Sequence, residues 1–323
     1  MVTGMFTIML SLSGWCADQA PAEKRSAKPA PPALPKATLE EIAYGKHPKQ
    51  VLTFWKAESN EPTPLVFYIH GGGWIAGNRT FLGGAFLQKL LKNGISVISI
   101  EYRFIPEATA DKIVPPVKGP LTDAARALQF VRSKATEWNI DEKRIGACGN
   151  SAGACSSLWL AFHPDLADPT SSDPVQRKST RLWCVAVEVP QTTLDPQQMK
   201  EWTPNSRYGG HAFGFTGNKQ KHQSSFDEFL ANRKKIMPWI AEYSPYALLS
   251  ADDPPVYLHY VTPPALGQDQ KDPTHTANFG VKLQERCKEL GVDCELVYPG
   301  APSVKHATPV AYLIEKLKDP NQP

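Results

Sequence analysis

Charge of one sign is in short supply: 35 Lys and Arg stand against 32 Asp and Glu, a formal net charge of +3 over 323 residues. Nucleic-acid binding needs a concentrated basic face, so no nucleic-acid partner is expected. Long apolar runs are also missing beyond the N-terminus. No uninterrupted stretch of about 18 apolar residues occurs there, so stable membrane insertion of the body of the chain is not expected. The histidines and cysteines do not fall into the short paired spacings of zinc sites. His211 and His222 have no paired Cys or carboxylate motif around them. No G-x-x-x-x-G-K-[ST] loop is present to cradle a phosphate. Neither metal nor cofactor is therefore expected. What remains is ordinary globular composition, 41% hydrophobic and 21% charged. The length suits one large α/β domain or two small ones.

The N-terminus differs in character. Residues 1–20 read as a signal segment, because Met5 to Ala17 is apolar but too short to cross a bilayer. No Lys or Arg precedes this run, and Trp15 stands where a cleavage site wants a small side chain. The expectation is a secreted or periplasmic protein, with the cytoplasm as the alternative. Residues 21–40 are rich in Pro, Ala and Lys and read as an extended linker. Of the six cysteines (16, 148, 155, 184, 287 and 294), Cys287 and Cys294 are the best-placed pair, either bridged by a disulfide or left as two separate thiols.

Residues 41–323 alternate between strand and helix patterns. Leu65 to His70 (LVFYIH), Ile95 to Tyr102, Arg144 to Cys148, Trp183 to Val189 and Val256 to Val261 are short apolar runs of the kind buried on both faces of a parallel sheet. Val51 to Ala57 and Cys294 to Tyr298 complete the expected strands. Phe81 to Lys92, Leu121 to Trp138, Ala277 to Leu290 and Thr308 to Leu317 carry helical spacing. The fold class is thus α/β, a mostly parallel sheet wrapped by helices on both faces. Residues 191–252 break the rhythm. They hold no strand signal and are rich in aromatics, which points to an ordered cap inserted between two strands.

Two motifs carry chemistry. Gly149-Asn150-Ser151-Ala152-Gly153 matches G-x-S-x-G, with a strand directly before it and a small-residue helix directly after. A serine at the apex of such a turn stands exposed, and the helix N-terminus behind it favours developing negative charge. His70-Gly71-Gly72-Gly73-Trp74 closes a buried strand. Consecutive glycines let backbone N–H groups approach a reacting carbonyl closely, and the N–H of Ala152 can join them. Trp74 and Asn150, beside the two motifs, are candidate substrate contacts.

HGGGW, EYRFIPEA (Glu101 to Ala108), NIDEKRIGACGNSAGA (Asn139 to Ala154) and SPYALLSADDPP (Ser244 to Pro255) together resemble the hormone-sensitive-lipase-like and bacterial acetyl- and feruloyl-esterase-like branch of the α/β-hydrolases. The resemblance implies the α/β-hydrolase fold with a cap. It implies an oxyanion hole of Gly72, Gly73 and Ala152, and a chain order of Ser, then acid, then His. In that branch the acid follows the strand VYLHYV. Here the following segment is longer than usual and offers Asp269 and Asp272. Asp272 is favoured because it lies just before the next helix. The base follows the last strand, which selects His306. His163, His211, His222, His259 and His275 lie too early or in the wrong element, and His70 belongs to the glycine loop.

The reaction expected is hydrolysis of a carboxylic ester through an acyl-enzyme on Ser151. The substrate would be a small-molecule ester, short-chain or aryl, or an acetyl or feruloyl group linked to carbohydrate. A secreted serine peptidase on the same fold and a non-catalytic binding protein are the alternatives. The displaced acid segment is what favours the last of these.

Overall fold

The structure is a computed structural model that describes residues 33–221 and 223–320. The expected signal segment 1–20, most of the linker 21–40, Cys16 and His222 lie outside the described residues. Eight strands form one sheet: β1 (Leu39–Ala43), β2 (Val51–Trp55), β3 (Thr63–Ile69), β4 (Ser96–Ile100), β5 (Ile140–Asn150), β6 (Cys184–Glu188), β7 (Val256–His259) and β8 (Cys294–Val297). Their order is β1-β2-β4-β3-β5-β6-β7-β8. β1 and β2 join antiparallel at one edge, and every pairing from β4 to β8 is parallel.

The sequence pattern accounts for this arrangement. β3 and β4 are buried along their whole length, because alternate side chains enter two different cores. Val66, Tyr68, Cys148, Ala186 and Tyr257 face the Gly84–Lys92 and Pro309–Lys318 helices, which contribute Leu87, Leu90, Tyr312 and Leu313. Leu65, Phe67, Ile69, Ala147 and Val187 face the other way, onto the Lys118–Ser133, Ala152–Phe162 and Asn278–Leu290 helices. Each fully buried Leu, Ile or Phe contributes about 1.5–3 kcal/mol, so the central strands anchor the loops at their C-terminal ends.

Two details depart from the sequence expectations, and a third settles an alternative left open there. The helix expected over Leu121 to Trp138 is two helices, Lys118–Ser133 and Ala135–Trp138. The linker ends in structure: Pro35 accepts a hydrogen bond from the Trp55 indole at 3.0 Å, and β1 begins at Leu39. Cys287 and Cys294 are free thiols, as are Cys148, Cys155 and Cys184.

The segment 191–252 contains helices Pro196–Trp202, Ser225–Ala231, Arg233–Tyr243 and Pro245–Leu248. Its aromatics form its own packing. Phe213 stacks on Phe229 at 5.1 Å and on Trp239 at 6.2 Å. Arg233 grips Asp195 with two hydrogen bonds, at 2.7 and 2.6 Å. Such a bidentate pair fixes direction as well as distance.

Candidate active site

β5 ends at Asn150, Ser151 turns the chain, and the Ala152–Phe162 helix begins at once. Ser151 takes φ 50° and ψ −121°, a conformation that costs a non-glycine residue on the order of 1–3 kcal/mol and persists only where its surroundings hold it. Gly153 shows why the motif needs glycine. A Cβ there would lie 2.1 Å from the Ile69 carbonyl oxygen and 2.5 Å from that of His70. The helix can start directly above β3 only because that side chain is missing.

Ser151 Oγ lies 2.9 Å from Nε2 of His275, and His275 Nδ1 lies 2.8 Å from Oδ2 of Asp272. Partial burial works to raise the Asp272 pKa. The hydrogen bond and charge of His275 and the N–H groups of Thr274 and His275 outweigh it and hold the carboxyl below its ordinary value. An ionised Asp272 accepts from Nδ1–H, which leaves Nε2 free to accept the Ser151 hydroxyl proton. The loop is held from below, where the Gln191 amide donates to the Thr274 carbonyl at 2.7 Å.

Asp272 thus lies in hydrogen-bond reach of a histidine that meets Ser151, but that histidine is His275 and not His306. His306 is 5% exposed. Its Nδ1 lies 2.6 Å from Glu295 Oε1, its backbone N–H donates to Glu295 Oε2 at 3.0 Å, and its Nε2 lies 3.0 Å from Glu315 Oε2. The loop after β8 folds down onto the Pro309–Lys318 helix instead of reaching over the sheet. The long loop after β7 carries both Asp272 and His275, three residues apart. Asp269 lies in that same loop, and its backbone carbonyl accepts from the Gln270 amide.

The glycine loop stands on a buried polar base. Gly72 takes φ +110°, which side chains rarely tolerate, and its carbonyl accepts the N–H groups of Ile75 and Ala76 at 3.0 Å each. His70 stacks on Tyr102 at 4.3 Å, and its Nε2 meets Glu101 at 3.2 Å. Burial opposes ionisation of Glu101, but the His70 bond, the Arg79 N–H and the Lys49 charge hold its pKa low. From the cap, His211 Nε2–H donates to the Gly73 carbonyl at 2.9 Å. Burial lowers the His211 pKa against the opposing effect of that bond, so the ring is held neutral. Among the described residues, no acceptor meets the N–H groups of Gly72, Gly73 and Ala152.

The two expected substrate contacts, Trp74 and Asn150, have the following surroundings. Trp74 is fully buried, and its indole N–H donates to Ser156 Oγ at 2.9 Å. It is a core residue, a role its apolar bulk fills once the glycine turn directs it inward. Asn150 Oδ1 accepts the Gly71 N–H at 2.9 Å, so its carbonyl end ties the glycine loop to the nucleophile strand. Among the described residues, no cluster of three His, Cys, Asp or Glu is placed to hold a metal ion. No helix among them is long and apolar enough to cross a membrane.

A mostly parallel sheet with a serine at the strand-to-helix elbow, helices on both faces and a cap before the seventh strand is the α/β-hydrolase fold. The BD-FAE family model matches residues 53–263, and the chain belongs to that family. Among curated proteins, esterase LipC of Mycobacterium tuberculosis is 29% identical over 135 residues, 41% of this chain and 30% of that protein. Carboxylesterase NlhH of the same species is 30% identical over 143 residues, 43% of each chain. The chain thus spans less than half the length of these relatives. Among solved structures, a truncated carbohydrate esterase from gut microbiota superposes with TM-score 0.65 at 18% identity, covering 90% of this chain and all of that one. An acetyl ester-xyloside bifunctional hydrolase from Caldicellulosiruptor lactoaceticus gives TM-score 0.56 at 22% identity, covering 83% and 84%.

Proposed function

We propose that this protein hydrolyses carboxylic esters through an acyl-enzyme on Ser151, with His275 as base and Asp272 as the acid that orients it. The observation that carries the reading is the continuous line Ser151 Oγ, His275 Nε2, His275 Nδ1, Asp272 Oδ2, joined at 2.9 and 2.8 Å. Ser151 Oγ attacks the ester carbonyl carbon while Nε2 takes its proton. The carbonyl oxygen gains the negative charge and is met by the N–H groups of Gly72, Gly73 and Ala152. Collapse breaks the bond to the alcohol oxygen, which leaves with the proton from Nε2. Water then attacks the acyl-enzyme and gives a proton to His275, which returns it to Ser151 as the acid departs.

Neutral small esters and carbohydrate-linked acyl groups are the proposed substrates. The named activities of the relatives and of the structural neighbours support that class. The apolar segment Met5 to Ala17 supports export. The test is covalent labelling by a fluorophosphonate together with 4-nitrophenyl acetate hydrolysis, for the parent and Ser151→Ala. Labelling and hydrolysis that both vanish in Ser151→Ala are the expected result. A parent protein that refuses the label and turns over no ester would overturn the reading in favour of a binding role.

A further inference from the structure

Ser151 stands where β5 finishes. At the opposite end of the sheet, the starts of β5 and β6 border a cleft of about 450 Å³. Lys143, on its rim, lies eight residues before Ser151, about 25 Å of extended strand. A small ligand held here does not reach Ser151, so the cleft stands apart from the chemistry proposed above.

The lining is lopsided in charge. Arg132, Lys143, Arg177, Lys178 and Arg181 border the cleft, against Glu142 alone among acidic lining residues. That is a local concentration in a chain whose formal net charge is +3. Two of these cations are neutralised: Lys178 meets Glu142 at 3.3 Å, and Arg181 meets Asp252 at 2.8 Å and Asp253 at 3.6 Å. Arg132 is buried, and its guanidinium donates to the backbone carbonyls of Glu142, Ser179 and Arg181. These bonds tie the backbone that leads into β6 to the start of β5. Burial lowers the Arg132 pKa to about 10 against the charges of Asp165 and Glu142, so the side chain keeps its charge at neutral pH.

Lys143 and Arg177 are exposed, and the carboxylates near them in sequence are already held. Asp141 is paired with Arg144 at 2.6 Å, and Asp173 with Arg126 at 2.5 Å. Beside these two cations the cleft has an aromatic wall. Trp183 lines it, partly buried against the core, with its indole N–H fixed on the Lys316 carbonyl at 2.9 Å. A fixed ring offers a flat apolar surface at little entropic cost, and a guanidinium suits a planar or tetrahedral oxyanion. A sugar ring that carries an acid group presents both matching features, a C–H face and a negative charge. The cleft volume falls in the range of about 300–1,000 Å³ typical of small-molecule sites.

We propose that this cleft binds an anionic sugar, a carboxylate- or sulfate-bearing unit of a polysaccharide, with Arg177 and Lys143 on the acid group and Trp183 against the sugar ring.

Isothermal titration of the full chain at about 0.15 M salt, where long-range attraction is screened, tests it. The probes are a galacturonate trisaccharide, a sulfated galactose trisaccharide, the uncharged galactose trisaccharide, a short glutamate peptide and single-stranded DNA. The expected result is that an acidic sugar binds, the better of the two naming the acid group, and that the other three probes bind at least about tenfold more weakly. Reversing both charges, with Lys143→Glu and Arg177→Glu together, should raise Kd by about tenfold or more, the worth of a hydrogen bond to a charged group. Both side chains are exposed, so Tm should hold; Arg177→Gln alone should weaken binding in the same direction without a charge reversal. The proposal is overturned if neither acidic sugar binds, or if the variants bind as tightly as the parent. It is equally overturned if the glutamate peptide or the DNA binds as tightly as the acidic sugar, which would mean a site for charge alone or for nucleic acid. None of these readouts passes through ester hydrolysis, so the reading of Ser151 stands or falls separately.

Discussion

Replacing each of two histidines by alanine separates catalysis from stability. In His275→Ala, Ser151 loses the side chain that, among the described residues, is placed to take its proton, and Asp272 loses the ring it orients. Removing a triad base lowers kcat by about 10⁴-fold or more, and about 5 kcal/mol of transition-state stabilisation corresponds to that factor. His275 is about one-third exposed, so the fold should lose little. His306→Ala does the opposite. It deletes a buried ring that lies 2.6 Å from Glu295 and 3.0 Å from Glu315, and leaves the Glu295 carboxylate without that partner. Losing a hydrogen bond to a charged group costs about 1.5–3 kcal/mol, a few degrees of Tm in a chain of this size. The assay is kcat on 4-nitrophenyl acetate beside a thermal melt of each variant. The expected pattern is an inactive, stable His275→Ala and an active, less stable His306→Ala. The reverse, with hydrolysis abolished in His306→Ala at unchanged Tm and retained in His275→Ala, would refute the assignment.

Three further outcomes follow from named contacts. Asp272→Asn cannot hold the His275 tautomer and should lower kcat by about 10⁴-fold; because the native carboxyl is held below its ordinary value, its stabilising effect is present above about pH 4 and is lost as the pH falls below that, so melting differences between parent and variant should close only in acid. His211→Ala removes the donor to the Gly73 carbonyl and should lower kcat by about tenfold with little change in KM, while His211→Gln, which keeps an N–H donor, should recover part of it; a proportional rise in KM alone would mean that His211 binds substrate instead of positioning the loop. Trp74→Phe strips the hydrogen bond to Ser156 from the core and should cost about 1–3 kcal/mol in denaturant unfolding with KM unchanged, whereas a raised KM at full stability would restore Trp74 as a substrate contact.

The fold was legible wherever one physical demand dominated. Continuous apolar runs such as Leu65 to Ile69 are buried on both faces, and their helical neighbours carry matching apolar stripes. The nucleophile turn was legible because close backbone approach excludes side chains at Gly149 and Gly153, a constraint written directly into residue identity. β1 was missed because it is a short edge strand of only partly buried residues next to a Pro-rich segment, with no apolar run to mark it. The surroundings of Trp74 and Asn150 were hard to read for a related reason. Proximity in sequence to a reactive residue does not say which way a side chain turns, and here one enters the core while the other caps a neighbouring N–H.

The histidine against Ser151 was the hardest residue to read, and the difficulty is topological. The usual chain order assumes that the loops after the last two strands each reach across the sheet and bring one triad member apiece. That order fixes the sequence of roles but not loop lengths, and a sufficiently long loop can satisfy two roles at once. Seventeen residues separate the end of β7 at His259 from the helix N-cap at Ala277. Within them, Asp272 and His275 are three apart, the spacing at which one turn brings a carboxylate to Nδ1 and frees Nε2 on the far side of the ring. With His275 placed against Ser151 there, the loop after β8 does not carry the histidine that meets it. His306 is instead placed between Glu295 and Glu315, where its ring joins β8 to the last helix. An Asp-x-x-His pair in an unusually long loop was the available signal. Weighing it would have required treating loop length as evidence about how many catalytic groups the loop can carry.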